Sequence, residues 1–366
     1  MNTNTSTFVP PHCPNSNCQF HRGLRDGWRF KRIGYHWSHC QRKRIPRFLC
    51  LYCRRSFSSQ TFATTYWLKR PDVLGQIIMK TVGCMANRQI ARELRVAPST
   101  IDRQLARLGR HCMLYHTQQM QDAKPASTVA IDGFVTFEHS QFWPFHHHPA
   151  VEPGSDLLVY FTDSEVRRSG SMTEAQKRKR ERLEQQYGRP DPKAVLKDVT
   201  HLLEVVAGGQ KCLTVLSDDH KAYPRAIRQL PCEVTHLVTS SKERRDARNR
   251  LFPVNLADML LRHSSANHKR ETIAWSKRRQ ASAERFAVFL VWRNYMKGRK
   301  EKVRGSPTPA QVRGMRTERL EIGELLESRL FASRIALPGR WLEYYGRRVR
   351  TRVLERQRVH DLKYAF

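Results

Sequence analysis

The run Thr128-Val129-Ala130-Ile131-Asp132-Gly133-Phe134-Val135-Thr136-Phe137 constrains this chain more than any other stretch. Its β-branched and aromatic residues suit a buried strand, yet a carboxylate sits inside it. A buried carboxylate without a partner costs several kcal/mol, so Asp132 calls for a counter-charge, a metal or a task. A second stretch has the same shape: Cys212-Leu213-Thr214-Val215-Leu216-Ser217-Asp218-Asp219. Either aspartate alone suits an ordinary strand-to-turn position. Two strands that each deliver one suggest a shared cation site.

The sign of the charge narrows the partners. Lys and Arg number 66 against 33 acids, leaving +33 over 366 residues. A folded chain this basic repels itself until a polyanion neutralises it, and nucleic acid is the first choice. A membrane fits less well, because no apolar run approaches the roughly 18 residues a span needs. The polar start Met1–Thr7 lacks the regions of a secretory signal. Nine cysteines, an odd number with two close pairs near the start, suit a reducing compartment and a metal site rather than a disulfide framework.

Those pairs are Cys13…Cys18 and Cys50…Cys53, which follow a disordered leader expected over 1–12. Two short-spaced pairs let a tetrahedral zinc draw two thiolates from each of two turns. Cys40, His21 and His39 are alternative ligands across the long gap. Trp28, Trp37, Arg42, Lys43 and Arg44 lie in that gap, and aromatics among cations suit a nucleic-acid surface. The module is set at 1–62.

Residues 63–115 read as a helix-turn-helix domain. Asn87 suits a cap before Ile90, Ala91 and Leu94, and Pro98 opens a second helix with Ile101, Leu105 and Leu108 on one face. The other face carries Arg103, Gln104, Arg107 and Arg110. Arg103 and Gln104 are placed to read base edges, and Arg107 and Arg110 to hold phosphates. A boundary is expected over 116–127.

The domain at 126–300 begins with the Asp132 strand. Gln141–Phe145 and Asp156–Thr162 read as its neighbours, with His146 and His148 on one face between them as a polar edge near the site. A basic insertion, 167–192, contains Lys177, Arg178, Lys179 and Arg180 on an exposed helix suited to clamping a phosphate backbone. Residues 193–207 form an amphipathic helix closed by Gly208-Gly209, and strand, helix, strand in that order suits a parallel pair. A strand at 233–238 and a basic loop at 241–250 lead to a helix opened by Pro253, in which Asn255, Asp258 and Arg262 share a face. A further helix spans 281–295, and 301–366 reads as a basic tail.

With these parts in one chain, the sequence resembles bacterial insertion-sequence transposases of the DDE type. The resemblance implies an α/β, ribonuclease H-like mixed sheet flanked by helices, preceded by a zinc ribbon and a helix-turn-helix. It implies that Asp132 and Asp218 are the first two metal-binding acids, with Tyr223 five residues after the second. Asp219 is the competing choice for the second. Lys269-Arg270-Glu271-Thr272-Ile273-Ala274-Trp275-Ser276-Lys277 resembles the family's basic run after the active-site helix. Seven residues before the basic Arg262 stands Asn255 rather than Glu, and Asp258 is the alternative third ligand. The implied chemistry is phosphoryl transfer with Mg²⁺ or Mn²⁺ held by Asp132, Asp218 and Asn255, with structural Zn²⁺ on Cys13, Cys18, Cys50 and Cys53. Arg262 would hold a phosphate of the element end. Double-stranded DNA, a homo-oligomer and a bacterial, nucleoid-associated cytoplasmic setting complete the expectation. A DNA-binding regulator or decayed transposase without activity is the alternative.

Overall fold

The computed structural model describes residues 8–23 and 26–357. Of the expected leader, 1–7 lie outside the described residues, while Pro10 and His12 are buried. Residues 358–366 of the expected tail also lie outside them.

The N-terminal module holds a short helix, α1 (Gln19–Arg22), and three antiparallel strands in the order β1 (Phe30–Ser38), β2 (Lys43–Cys50) and β3 (Ser56–Ser58). Its core is aromatic: Trp28, Phe48, Phe57 and Phe62 pack together, with Phe331 arriving from the far end of the chain.

Helices α2 (Leu74–Val82), α3 (Asn87–Glu93) and α4 (Pro98–Gln121) follow. Ile90, Ala91, Leu94, Ile101, Leu105 and Leu108 are buried, as the periodicity requires. Asn87 is the first helical residue rather than the cap, which falls on Ala86. No glycine marks the turn into α4; Arg95 there takes φ +51°. Helix α4 runs through the expected boundary at 116–127 as far as Gln121. Tertiary partners carry it onward: the buried His116 ring bonds both Tyr295 Oη and the Val159 carbonyl at 2.8 Å.

The next strands are β4 (Thr128–Ile131), β5 (Phe134–Phe137), β6 (Pro144–Glu152) and β7 (Leu157–Glu165). The exposed helix α5 (Glu174–Tyr187) and the amphipathic α6 (Ala194–Ala207) separate them from β8 (Cys212–Ser217). Gly208 closes α6 at φ +55°, a left-handed position that glycine occupies without a steric penalty. After α7 (Ala222–Ile227) comes β9 (Glu233–Val238). The sheet order is β7-β6-β4-β8-β9; β6 is antiparallel to β4 and β7, and β4, β8 and β9 run parallel. Strand β5 continues the line of β4 past Gly133 and pairs with β6. An antiparallel meander followed by two parallel strands on the other side of the first strand is the ribonuclease H-like arrangement. Helices α8 (Phe252–Ser264) and α9 (Arg279–Val291) complete it, and a π-helical turn, Trp292–Met296, follows α9.

Two helices pack at backbone distance. A Cβ on Gly109 of α4 would lie 2.4 Å from the Glu284 carbonyl oxygen of α9, so only glycine permits this approach. Residues 301–357 depart from the expected basic tail. They form α10 (Pro309–Val312), α11 (Ile322–Glu327) and α12 (Gly339–Tyr345), and Leu320, Leu325, Trp341 and Tyr344 join the main core. The arginines that made this segment look like a solvated tail have found carboxylates inside: Arg340 bonds Asp163 of β7, and Arg352 bonds Glu165.

Candidate active site and thiolate cluster

Asp132 follows the end of β4, and Asp218 follows the end of β8, its parallel neighbour. The register pairs Ala130 with Leu216, so each aspartate stands two residues beyond the same rung. Both carboxylates therefore leave the sheet at one edge, where the ends of parallel strands open a crevice. Helix α8 packs across β4 and β6 and delivers Asp258.

The electrostatics tie the three acids together. Burial raises the Asp132 pKa, and the charge of Asp218 adds to the rise; the Gly133 N–H, which donates to Asp132 Oδ1 at 2.6 Å, opposes both. Asp258 is driven well above its ordinary value by burial and then by Asp132, against the pull of Arg262 and Arg245. The buried Tyr223 phenol is pushed up by burial and then by Asp132, Asp218 and Asp258, so one side chain senses all three. Like charges held in a poorly solvated place disfavour ionisation together, and a cation relieves that cost.

Other side chains complete the walls. A Cβ on Gly133 would lie 3.0 Å from His146 Nδ1 and 3.7 Å from the Tyr223 hydroxyl, so the missing side chain lets both approach the strand. Burial, then His220, lowers the His146 pKa to about 4, leaving a neutral imidazole. Arg262 lies with its guanidinium 4.0 Å from the centre of the Phe134 ring and donates to the His268 and Val135 carbonyls at 3.2 and 3.3 Å. Asn255 is half-buried one turn before Asp258, and its backbone N–H serves the helix by bonding the Leu251 carbonyl. Asp219 is exposed and accepts hydrogen bonds from the Ser241 N–H and hydroxyl, which ties down the loop after β9. Arg245 in that basic loop acts on Asp132 and Asp258, a role its surroundings of like residues concealed.

Several expected DNA contacts are placed otherwise. Gln104 and Arg110 are buried, with Arg110 3.9 Å from Glu284 of α9. Arg107 donates to the Thr64 and Tyr66 carbonyls at 2.8 Å. The polar face of α4 is thus an internal seam, and only Arg103 of this set is exposed. The sequence signal for the seam was Glu284, the one acid of α9, just before the apolar run 286–291. On α5, Lys177, Arg178 and Lys179 are exposed, while Arg180 turns inward to the Arg168 carbonyl at 3.2 Å.

At the N-terminus the Sγ atoms of Cys13, Cys18, Cys50 and Cys53 all lie within 4.8 Å of one another, the only such group of three or more ligand atoms among the described residues. The three acids are therefore spread more widely than the thiols. Cys13 and Cys53 Sγ are 3.6 Å apart. A tetrahedron with Zn–S bonds of about 2.3 Å has edges of about 3.8 Å, so the cluster has the size for zinc. Burial raises the Cys50 pKa, but hydrogen bonds outweigh it, led by the Trp28 Nε1–H at 3.2 Å, and bring it to about 7. His21 is engaged elsewhere, with Cys13 O and Ser333 Oγ, while Cys40 and His39 are exposed; the four cysteines need no substitute.

No helix among the described residues is long and apolar enough to cross a membrane. No family model and no curated protein matches the sequence. Among solved structures, the chain is similar to one from a simian T-cell lymphotropic virus intasome in complex with PP2A regulatory subunit B56 gamma. There the identity is 14%, 68% of this chain and 74% of that chain are covered, and the TM-score is 0.26. It is also similar to the piggyBac transposase of a synaptic complex with hairpin DNA, at 9% identity, covering 77% and 72% of the two chains, with a TM-score of 0.35.

Proposed function

We propose that this chain is a DNA transposase of the DDE kind, encoded by a bacterial insertion sequence and acting in the nucleoid as a homo-oligomer. It binds double-stranded DNA at the ends of its element and cuts and joins strands by phosphoryl transfer. The observation that supports this best is that Asp132 and Asp218 stand beyond the same rung of two parallel strands of a ribonuclease H-like sheet and, with Asp258, act on the Tyr223 phenol, in a chain of charge +33.

Asp132, Asp218 and Asp258 are the proposed ligands, since hard divalent cations such as Mg²⁺ or Mn²⁺ favour oxygen donors. Asp258 takes the third place rather than Asn255 because it carries a carboxylate on which the charge of Asp132 acts. Asn255 is then a neutral neighbour one turn away. Held by these residues, such ions would supply activation of water or a 3′-hydroxyl and stabilisation of the leaving oxygen. Arg262, held by two carbonyls beside Asp258, and Arg245 present positive charge to the scissile phosphate. Arg103 and Lys177 to Lys179 hold backbone phosphates away from the chemistry, and the four-cysteine cluster carries structural zinc.

The test is strand joining with Mg²⁺ on a DNA that carries the gene's own flanking sequences. Wild type joins ends, and Asp132→Ala and Asp218→Ala abolish joining while retaining duplex binding. Joining that survives Asp132→Ala sinks the assignment. A wild type that binds DNA but never cuts or joins it leaves a DNA-binding regulator instead.

A further inference from the structure

A second concave site lies far from the acids in sequence, where the N-terminal sheet meets the segment after it. Its volume is about 640 Å³, within the range of small-ligand pockets. His36, Arg47, Arg55 and Lys69 contribute to its wall, and no carboxylate does. Tyr66 and Trp67 supply aromatic surface, and Trp67 is 71% exposed.

Two features argue that Trp67 is held there for a purpose. Its backbone adopts φ +59°, a conformation that a bulky L-residue takes only at a cost. The segment that carries it is also pinned from several directions. Arg107 of α4 holds the Thr64 and Tyr66 carbonyls, the Thr64 hydroxyl donates to the Leu326 carbonyl at 2.7 Å, and Arg329 N–H and Nη1 bond the Phe62 and Thr61 carbonyls. A strained backbone clamped by the half-buried Arg107 and the buried Arg329 presents a large indole to solvent beside four basic side chains. The Tyr66 ring lies edge-on to the indole with centroids 5.9 Å apart, so the pocket offers aromatic surface among its cations.

We propose that this pocket binds an unpaired nucleotide of a DNA strand, its base stacked on Trp67 and its phosphates facing Arg47, Arg55 and Lys69. Every base offers a π-face to an aromatic ring, and a cationic groove follows the backbone of a single strand. A regular duplex keeps its bases stacked inside and offers none to the indole. The proposal rests on the DNA-acting reading above and adds a substrate feature to it: a strand with an extrahelical or frayed base.

The experiment uses the full-length chain and fluorescence anisotropy with three labelled probes: a single-stranded DNA 12-mer, an RNA of the same sequence and a blunt DNA duplex of the same length. Trp67→Ala is expected to weaken single-strand binding about tenfold or more and to change duplex binding less than twofold, while Trp67→Phe retains most of the affinity. Trp67→Gly relieves the backbone, so it should melt at or above the wild-type temperature while binding the single strand as poorly as Trp67→Ala. Equal losses on single strand and duplex, no loss on either, RNA bound as tightly as DNA, or a lower melting temperature for Trp67→Gly would each overturn the proposal. Failure of the transposase reading is seen separately, as joining that survives Asp132→Ala.

Discussion

Replacing Asp163 with asparagine tests how the C-terminal segment is held. Asp163 lies in β7 with no exposed surface. Arg340 of α12 donates to its Oδ1 from Nε at 2.9 Å and Nη2 at 2.7 Å, Tyr344 donates to the same oxygen, and Arg279 of α9 approaches Oδ2 at 3.1 Å. Burial alone would raise the Asp163 pKa, but Arg340 and Arg279 outweigh it and hold the group well below the usual carboxylate range. Asparagine keeps the size but removes the charge that two guanidiniums, 17% and 8% exposed, share, leaving Arg279 with Glu165 and Arg340 with Glu343. Removing one partner from a buried pair costs about 3–5 kcal/mol, and the carboxylates that remain, Glu165 and Glu343, place the loss toward the lower figure. That is a large part of the roughly 5–15 kcal/mol that holds a typical domain folded. Arg340→Met should cost less, because Arg279 remains to pair Asp163. The double variant should fall short of the sum by about 0.5–3 kcal/mol, as expected for residues in one network. Urea unfolding at pH 7, followed by circular dichroism, reads all three midpoints. The sign with pH follows from the depressed pKa. The stability is present above the unfolded value near 4 and is lost as pH falls through the folded value, so wild type and Asp163→Asn should converge in acid. A loss below about 1 kcal/mol at pH 7 would refute the claim that this buried pairing fastens α12 to the sheet.

The remaining predictions bear on the other sites. Asp258→Asn should abolish Mg²⁺-dependent joining and Asn255→Ala should leave it within tenfold; the reverse pattern would return the third place to Asn255. Replacing Cys50 and Cys53 together with serine should remove about one zinc per chain and loosen the Trp28, Phe48 and Phe57 cluster, read by metal analysis and tryptophan emission. Gly109→Ala puts a methyl 2.4 Å from the Glu284 carbonyl oxygen, so urea unfolding should show a loss of about 1–3 kcal/mol or more. Asp198 has its pKa raised to about 6, by burial and by Asp163 against the pull of Arg340. A raised acid contributes stability below its unfolded value and loses it as pH rises through the folded one, so Asp198→Asn should stabilise the protein at pH 7 by about 2–3 kcal/mol and have little effect below pH 4.

What the sequence made legible was local. Asp132 and Asp218 stood out because each closes an apolar strand, and a strand pattern needs only a few residues to read. The two cysteine pairs stood out by spacing. Partnerships across long separations stayed hidden. Arg107 and Arg110 share a polar helix face with Arg103, and nothing within α4 says that the first two meet the 64–66 carbonyls and Glu284 while the third meets solvent. The third metal position was ambiguous for a related reason. The family resemblance, counted back from Arg262, implies Asn255, whereas electrostatic contact with Asp132, which favours Asp258, exists only once α8 lies against β4. The tail misled in the same way, since its arginines look solvated until Asp163 and Glu165 of β7 are beside them.

The internal use of so many arginines strengthens the argument from net charge. Each buried pair, such as Arg340 with Asp163, removes one charge of each sign from the count and leaves the excess untouched. With 33 acids against 66 bases, every acid drawn inside makes the remaining surface more one-sided. The exposed excess includes Arg42, Lys43 and Arg44 at the β1–β2 turn, Lys177 to Lys179 on α5 and the loop that carries Arg245 toward the acids. A surface so composed repels itself at low salt and is relieved by a polyanion that releases counterions on binding. Three acids gathered at the sheet edge would repel that same polyanion unless cations stood between them. On the transposase proposal the basic surface and the three acids have separate requirements, DNA for the one and divalent ions for the other, and the two should bind with positive cooperativity.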